Sequence, residues 1–377
     1  MNSSFLIVSH VYHKSTEGKV YGYAPYVKEM NLWIANFDLV VLLAPVEKNS
    51  NISPIEIPYE HPNLKVIAVP LLDFTGLGKS IKSFVSLPGI IFKMWMAMRA
   101  SDHIHLRCPG NMGLLGCWVQ RFFPKTTKTV KYAGNWDPQS SQPFTYRLQR
   151  KMLNNPAVFK NTRVLVYGHW PDSADHILAF FTASYFKKDI VPIEKKLNSP
   201  TEPLKLLFVG SLIKDKNPLL ALKSLHHLLA KNISAHLDFC GDGDQYGILL
   251  DYIQRHKLEG NVTLRGNVAA AELKEFYKQA DFLVFLSESE GWPKVVAEAM
   301  FFGCVPITTP VSCVAEMLNH GERGDLIGKD PTEVVGVINT YLQDPKLFEQ
   351  KSQEAMKWSN KFTLELFEKE IKKLVYV

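Results

Sequence analysis

The feature that most constrains this chain is an alternation of short apolar runs with longer amphipathic segments, which occurs once in each half. In the first half, strand-like runs such as "FLIVSH", "LVVLLAP" and "HIHLRCP" are separated by segments long enough for helices. The second half repeats the pattern with "LKLLFVGSL", "AHLDFCGDGD", "VTLRGNV", "ADFLVFLSES" and "VPITTP". Alternating strands and helices favour parallel sheets with helices on both faces. We therefore expect two doubly wound, Rossmann-like α/β sheets.

A polar segment separates the two halves. Residues 190–205, "IVPIEKKLNSPTEPLK", are rich in Pro, Lys, Glu and Ser and poor in apolar residues, as is typical of a linker. A chain of 377 residues also exceeds the length that one ordinary core accommodates. We predict domains at 1–197 and 198–377, with the final helix a candidate to cross back to the first domain.

Composition indicates a soluble globular protein, because 46% of residues are apolar and 21% are charged. The first residues, "MNSSFLIVSHVYHK", place no basic segment before the short apolar run, so we expect a first strand and not a signal peptide. The five cysteines are odd in number, scattered and outside any CxxC or Cys/His spacing. We expect a reduced, cytoplasmic protein without structural zinc.

Positive charge is concentrated in the first half, where residues 1–196 carry 23 Lys and Arg against 13 Asp and Glu. The segment 78–102, "GKSIKSFVSLPGIIFKMWMAMRASD", mixes Phe, Ile, Met and Trp with four basic residues: Lys79, Lys82, Lys93 and Arg99. Pro88-Gly89 interrupts its apolar run, which is then too short to span a bilayer. The segment suits either a helix on the inner, anionic membrane surface or a helix packed in the core. No nucleic-acid-binding motif is present, so nucleic acid is not an expected partner.

Two carboxylates stand eight positions apart in "SESEGWPKVVAEAM", residues 287–300. An apolar strand precedes this stretch, and "PKVVAEAMFFG" has helical spacing and a terminal glycine, which predicts a strand, a loop and then a helix. Pro293 suits the first helical position, which puts Glu290 in the loop and Glu298 inside the helix. Both can face a crevice at the carboxyl end of a sheet, where ligands bind. The alternative is that Glu290 is a solvated acid of the loop and Glu298 an acid on the surface of the helix.

Four motifs of the second half, in order, resemble glycosyltransferase family 4, whose members are retaining enzymes with the GT-B fold of two Rossmann-like domains facing a cleft. The motifs are "FVGSLIKDKN", "FCGDGD", "VTLRGNV" and "ESEGWPKVVAEAM", and the resemblance covers most of residues 203–345. The last motif matches the paired-glutamate signature of the family. The resemblance implies a nucleotide-sugar donor.

The resemblance also implies roles for individual residues. Lys216 matches the lysine that meets the donor diphosphate, Glu290 would accept hydrogen bonds from the donor sugar, and Glu298 would accept them from the ribose. Ser211 stands where the family usually has arginine, so backbone N–H groups at a helix N-terminus are candidates to replace that charge. The remaining candidates to border the donor in the second half are Gly210, Gly241, Asn267, Val268, Pro293, Lys294 and Val295.

The first half resembles the family less closely. "EGKVYGYAP" follows the first strand, where the family places a glycine-bearing loop against the donor phosphates, so Gly18 and Gly22 are candidates, with a plain flexible loop as the alternative. In "DHIHLRCPGN", Arg107 stands where the family often has a histidine near the reacting centre. Arg107 is a candidate to meet the donor phosphate or an anionic acceptor, or to form a structural ion pair.

Two further observations concern cofactors. Asp242 and Asp244 in "FCGDGD" imitate an Asp-x-Asp metal motif, but they lie in a turn after a second-half strand, where the resembled fold uses no metal. The first strand leads into no GxGxxG sequence, which argues against NAD. We expect no metal and no other cofactor.

These observations predict a cytoplasmic, retaining glycosyltransferase, peripheral on the membrane or free of it, that acts on a glycan or lipid-linked acceptor. The resemblance implies a front-face mechanism in which the departing phosphate helps to deprotonate the acceptor hydroxyl. A sugar-nucleotide epimerase or phosphorylase on the same fold is an alternative. A catalytically silent nucleotide-sugar-binding subunit is another, because the family arginine and histidine are replaced by Ser211 and Arg107.

Overall fold

The computed structural model describes residues 3–53, 55–197 and 202–376. The chain divides into two compact units: unit 1 is Met1–Phe181 with Phe367–Val377, and unit 2 is Thr182–Leu366. The boundary that we predict at residue 198 falls at residues 198–201, which lie outside the described residues. Each unit has its own sheet of mainly parallel strands covered by helices, which confirms the predicted fold class.

Unit 1 is built on one sheet whose described strands are ordered β10-β9-β8-β7-β1-β4-β2-β3-β5, with β6 also paired to β4. The strands are β1 (Ser4–Val8), β2 (His13–Thr16), β3 (Lys19–Tyr23), β4 (Leu39–Lys48), β5 (Glu56–Pro58), β6 (Leu64–Val69), β7 (His103–Cys108), β8 (Thr127–Tyr132), β9 (Thr162–Val166) and β10 (Ile177–Ala179). The helices are α1 (Ala24–Ile34), α2 (Leu77–Arg99), α3 (Asn111–Val119) and α4 (Phe144–Leu153). Strand β1 is fully buried, and β7 and β8 are buried at all but one residue each, as is expected when helices cover both faces of a parallel sheet.

Unit 2 is built on a sheet whose described strands are ordered β13-β12-β11-β14-β15-β16, all parallel. The strands are β11 (Leu204–Val209), β12 (Ala235–Cys240), β13 (Val262–Gly266), β14 (Phe282–Phe285), β15 (Val305–Thr308) and β16 (Asp325–Leu326). The helices are α5 (Pro218–Ala230), α6 (Tyr246–His256), α7 (Ala270–Gln279), α8 (Lys294–Phe301), α9 (Val314–Met317), α10 (Pro331–Gln343) and α11 (Pro345–Ser359). The order reverses direction between β11 and β14, which makes this the topological switch point of the sheet.

The last helix, α12 (Leu364–Val375), belongs to unit 1 from Phe367 onward. The ring centroid of Phe367 lies 5.4 Å from that of Phe180 and 5.7 Å from that of Phe181. Ile371 and Leu374, one and two turns further along, are also buried. These apolar contacts hold the carboxyl-terminal helix in unit 1.

The segment with the predicted apolar interruption is one continuous helix. α2 runs through Pro88, which has no N–H to donate to the preceding turn but does not end the helix. Our expectation that Pro88-Gly89 breaks the run was therefore wrong. By length and composition alone α2 could cross a membrane, although 28% of its most apolar window is buried inside the protein. Ile90, Met94 and Met98 form the buried side and pack in the core of unit 1.

Candidate active site

The loops that follow β11 and β14 meet at the switch point of unit 2. Lys216 ends a 3₁₀ turn after β11, and Glu290 lies in the loop after β14. The ammonium group of Lys216 forms an ion pair with Oε1 of Glu290, and the side chains are 24% and 13% exposed. The Ser287 hydroxyl donates a second hydrogen bond to the same oxygen at 2.8 Å. Ligands of open α/β sheets bind at such a point, so this pair is the centre of the candidate site.

Hydrogen bonds fix these two loops to each other. The N–H of Glu288 donates to the carbonyl of Asp215 at 2.8 Å, and Nδ2 of Asn217 donates to the carbonyl of Leu286 at 2.8 Å. Asn217 adopts a left-handed conformation, φ 51° and ψ 45°, which asparagine tolerates better than most residues do. The backbone that carries Lys216 and Glu290 is therefore held before any ligand arrives.

The loop after β15 supports the Glu290 loop from the other side. The Thr309 hydroxyl donates to the carbonyl of Ser287 at 2.6 Å, and the Ser312 hydroxyl donates to the carbonyl of Gly291 at 2.7 Å. These bonds satisfy carbonyl groups in a partly buried loop that has no ladder of its own. A preorganised loop of this kind is what electrostatic catalysis requires.

Three glycines bring the ends of β11, β12 and β13 together. The N–H of Gly210 donates to the carbonyl of Cys240 at 3.0 Å, and the N–H of Gly241 donates to the carbonyl of Gly266 at 2.7 Å. A Cβ at Gly241 would lie 1.9 Å from the carbonyl oxygen of Gly210, and φ at Gly241 is +156°. Only glycine fits this position. The approach leaves a bare peptide surface beside the Lys216 loop.

The other residues predicted for the donor lie along these strand ends. Ser211 directly follows Gly210 and is exposed, so the position of the family arginine carries no charge. Asn267 is exposed and Val268 half-buried in the turn after β13. Their contacts with a donor stay predictions.

Helix α8 begins one residue later than its proline predicts. Pro293 is the N-cap, with φ −75° and ψ 86°, and Lys294 and Val295 open the helix. The first N–H groups of an α-helix have no partner within the helix, and they carry its positive dipole end. Lys294 and Val295 lie at this end of the helix, and their contact with an anion stays a prediction.

Glu298 has different hydrogen-bond partners from Glu290. Its Oε1 accepts a hydrogen bond from the hydroxyl of Ser184, and its Oε2 accepts one from the hydroxyl of Tyr277 at 3.0 Å. Burial, followed by the negative charge of Glu298, raises the pKa of the Tyr277 phenol well above its usual value. Tyr277 is therefore a constant donor at neutral pH. An ionised carboxylate has about four acceptor sites, so Glu298 keeps capacity for a ligand hydroxyl.

Unit 1 has its own polar cluster at a switch point, between β1 and β7. Within the described residues, Nη1 of Arg107 and Nδ1 of His10 are buried without a hydrogen-bond partner. The guanidinium carbon of Arg107 lies 5.1 Å from the ring centroid of Tyr26. Burial and then the positive charge of Arg107 lower the pKa of His10. A buried cation with an unused N–H donor suits an anionic ligand.

The structure corrects our expectation that Gly18 and Gly22 lie in a loop. The segment that we predicted as a glycine-bearing loop is a β-hairpin, in which β2 pairs with β3. Gly18, φ +75°, sits in the two-residue turn with Glu17, φ +49°, which is the backbone that tight hairpins prefer. A Cβ at Gly22 would lie 3.0 Å from the His13 ring. Both glycines thus have structural reasons to be present.

The two aspartates of the metal-like motif lie in a turn that backbone bonds join to the β11 loop. The carboxylate of Asp242 accepts a hydrogen bond from the N–H of Gly243 at 2.8 Å, and the carbonyl of Asp242 accepts one from the N–H of Leu212 at 2.9 Å. In the described part of the chain, no three acidic, histidine or cysteine side chains group as a metal site would require. Metal independence stays a prediction.

Four contacting residues were missed from the sequence: Ser184, Tyr277, Ser287 and His10. Ser184 lies 114 positions from the glutamate that it contacts, and no spacing rule connects them. Ser287 and His10 carried a usable signal, because each is the second residue after the end of a buried strand.

Comparison with known proteins agrees with this geometry. Residues 189–358 match the family described as Glycosyl transferases group 1. The poly(glycerol-phosphate) alpha-glucosyltransferase of Bacillus subtilis is 27% identical over 215 residues, which are 56% of this chain and 31% of that protein. The N-acetyl-alpha-D-glucosaminyl L-malate synthase of Bacillus anthracis is 27% identical over 176 residues, 45% of this chain and 44% of that protein. The chain thus spans less than half the length of either relative.

Solved structures extend the likeness to the whole chain. HepE from Anabaena, crystallised in complex with UDP, superimposes with a TM-score of 0.71 at 14% identity, and the comparison covers 100% of both chains. At this identity the likeness shows the fold alone, which is GT-B. Residues 189–358 and the two relatives thus place this chain's similarity among glycosyltransferases, and its fold is GT-B.

Proposed function

We propose that this chain is a retaining glycosyltransferase that moves a hexose from a nucleotide-diphosphate donor to a glycan or lipid-linked acceptor. The observation that carries the proposal is the meeting of Lys216 and Glu290 at the switch point of unit 2. A cation for a diphosphate and a carboxylate for sugar hydroxyls are there held by two loops that are bonded to each other.

In the proposed complex, the diphosphate takes the place of Glu290 at the Lys216 ammonium. The N–H groups of Lys294 and Val295 stabilise the same charge from the start of α8. Glu290, released from Lys216, accepts hydrogen bonds from the donor sugar, and Glu298 accepts them from the ribose while Tyr277 holds it in place. Gly210, beside which a side chain would meet open space, lets the donor approach the peptide backbone closely, and Gly241 packs against it.

The proposed reaction proceeds on one face of the sugar. The bond between the anomeric carbon and the β-phosphate oxygen breaks, and a bond from the acceptor oxygen forms on the same side. The acceptor proton passes to the departing diphosphate, so the configuration is retained without a covalent enzyme intermediate. Lys216 and the start of α8 stabilise the charge that grows on the diphosphate.

Two findings support an acceptor that carries negative charge. Arg107 has a buried, unused N–H donor beside His10 in the described part of unit 1. The Bacillus subtilis relative is, by its name, a glucosyltransferase acting on poly(glycerol-phosphate), which is a polyanion. We propose Arg107 as the residue that meets an anionic group of the acceptor or the donor phosphate.

We further propose that the reaction needs no metal ion and takes place in the cytoplasm. Lys216 and backbone N–H groups supply the positive charge for the diphosphate. All five cysteines are buried and none of them forms a disulfide, which suits a reducing compartment. Activity should therefore persist in excess EDTA. Complete loss that manganese or magnesium restores would instead assign Asp242 and Asp244 to a metal.

Thermal-shift measurements with UDP, GDP and ADP, followed by a transfer assay, test the proposal. A ligand that binds only the folded protein raises the melting temperature of the protein, so the nucleotide that raises it shows which base the protein binds. We expect slow hydrolysis of the matching nucleotide-sugar and faster sugar transfer when acceptor is added. Binding without hydrolysis or transfer would identify a silent binding subunit. Conversion of the donor into an epimeric nucleotide-sugar without an acceptor would identify an epimerase.

A further inference from the structure

Helix α2 carries an apolar face that the protein leaves uncovered. Five of its large apolar side chains are 62–86% exposed: Leu77, Ile81, Phe84, Val85 and Phe92. At 100° per residue they fall within an arc of about 120°, opposite the buried side of the helix. We call this stripe the α2 face. An exposed contiguous apolar surface in a folded protein marks an interaction site.

Neighbouring side chains enlarge this apolar surface. The ring of Phe74, 41% exposed, packs edge-on against Phe84 with centroids 5.4 Å apart. The ring of Trp95 in α2 lies 6.2 Å from that of Phe123. In the same segment, Trp118 of α3 and Phe122 of the 3₁₀ turn after α3 are exposed. Aromatic residues of this kind favour the headgroup region of a bilayer.

The charge around the α2 face is predominantly positive. From Phe74 to Trp136 the sequence carries nine Lys and Arg residues and a single acid, Asp102, whose carboxylate is bonded to Ser4. Five of these basic side chains are exposed and outside the ion pairs of the described chain: Lys82, Lys93, Arg99, Arg121 and Lys125. Lys79 is exposed too but pairs with Asp73 at 2.8 Å.

From these observations we infer that the α2 face docks on the surface of an anionic lipid membrane, with the helix lying in the plane of the headgroups. Exposed apolar side chains with flanking cations supply both attractions that peripheral binding requires. Spanning is excluded by the other side of α2, where Ile90, Met94 and Met98 are held in the core. A second copy fits poorly, because a two-fold interface would bring the same cations together. This docking surface goes beyond the proposed sugar transfer and does not depend on it.

Co-sedimentation with vesicles tests the inference. We expect the protein to pellet with vesicles of phosphatidylcholine and phosphatidylglycerol at low salt. It should stay in the supernatant with phosphatidylcholine alone, and 1 M salt should release it, because the Debye length then falls to about 3 Å. Protein that remains in the supernatant with anionic vesicles at low salt would overturn the inference.

Two pairs of variants separate charge from apolar contact. K82Q/K93Q should weaken binding to anionic vesicles roughly thirtyfold. The control K346Q/K361Q, which removes two exposed lysines of unit 2, should not. Lys79 stays unchanged because Asp73 already compensates its charge.

For the apolar contact, F84S/F92S should weaken binding roughly tenfold per side chain. Both phenylalanines are more than 60% exposed, so folding should be unaffected. The control F144S replaces a phenylalanine of α4 that is 68% exposed. The inference would be overturned if F84S/F92S bound vesicles as well as the parent protein does. It would also be overturned if the parent protein formed a dimer in solution and F84S/F92S abolished that dimer. Hydrolysis of the nucleotide-sugar without vesicles should be equal in all variants, which separates failure of docking from failure of the proposed function.

Discussion

The ion pair between Lys216 and Glu290 allows a sharp test, because the two residues are paired in the free protein and are proposed to separate when the donor binds. K216M removes the cation for the diphosphate. E290Q removes the charge that holds Lys216, yet its amide oxygen still accepts hydrogen bonds from Lys216 and Ser287. K216M should therefore weaken the binding of free nucleotide, whereas E290Q should not.

The cost to folding follows from the burial of the pair. Removing one partner of a fully buried pair costs about 3–5 kcal/mol, and exposed pairs contribute roughly 0–1 kcal/mol. With side chains 24% and 13% exposed, the pair lies between these limits. We expect K216M to lower the free energy of unfolding by about 2 kcal/mol, and E290Q by about 1 kcal/mol, in urea titrations.

The binding of nucleoside diphosphate distinguishes K216M from E290Q more sharply than stability does. Losing a hydrogen bond to a charged group costs about 1.5–3 kcal/mol, so K216M should weaken binding of the nucleoside diphosphate roughly 10- to 150-fold in titration calorimetry. E290Q should bind it equally well or more tightly, because Lys216 no longer has a competing carboxylate, and should turn over more slowly because a sugar contact is lost.

The matched control is Lys351. It pairs with Asp325 at 2.7 Å, the side chains are 14% and 20% exposed, and both residues belong to unit 2 but lie outside the candidate site. K351M should cost similar stability and leave nucleotide affinity unchanged. Equal weakening of nucleotide binding by K216M and K351M, or weakening by E290Q, would refute the exchange of partners.

Three further predictions follow from the same structure. E298A should weaken nucleotide binding by about 1–3 kcal/mol in calorimetry, because a buried hydroxyl donor loses its acceptor and the ribose loses a carboxylate. G241A should destabilise unit 2 by several kcal/mol, since its Cβ would lie 1.9 Å from a carbonyl oxygen. The control G336A, in the open middle of α10, should stabilise unit 2 by roughly 0.5–1 kcal/mol. Comparable unfolding midpoints for the two variants would contradict this prediction. Burial lowers the pKa values of His13 and His103 to about 4 each. Between pH 6.5 and 4, the unfolded chain therefore binds more protons at these histidines than the folded protein does. Each of the two histidines should reduce the free energy of unfolding of unit 1 by about 2 kcal/mol as the pH falls from 6.5 to 5. Urea unfolding at both pH values, with H13Q as the variant of reduced slope, measures this loss.

The alternation of strands and helices, and the loops that carry Lys216 and Glu290, could be predicted because each depends on local sequence. A buried parallel strand is a run of apolar residues such as "FLIVS", and its carboxyl end is where a ligand loop begins. The β2–β3 hairpin was missed because its local sequence gives no such signal. Its residues "HKST" and "KVYGY" are too short and polar to give a strand signal by themselves.

The partners of the predicted residues could not be found in this way. Glu298 meets Ser184 and Tyr277 only because the chain returns to α8 from two distant segments. Likewise, the composition of α2 shows that the helix is apolar but not which side meets the core. The structure settles this by burying Met94 and exposing Phe84.

The proposed roles of Lys216 and Glu290 also bear on the missing arginine at Ser211. With that charge absent, an unoccupied site would contain one partly buried lysine beside one partly buried glutamate, and each would be costly to leave unpaired. The ion pair removes that cost in the free protein. In the proposed complex a nucleotide-sugar would remove it, since its diphosphate would satisfy Lys216 while its sugar hydroxyls would satisfy Glu290. A nucleotide without a sugar would satisfy only the lysine. On this proposal the pairing favours the whole donor over its nucleotide product, which is the discrimination that a transferase needs in order to release its product.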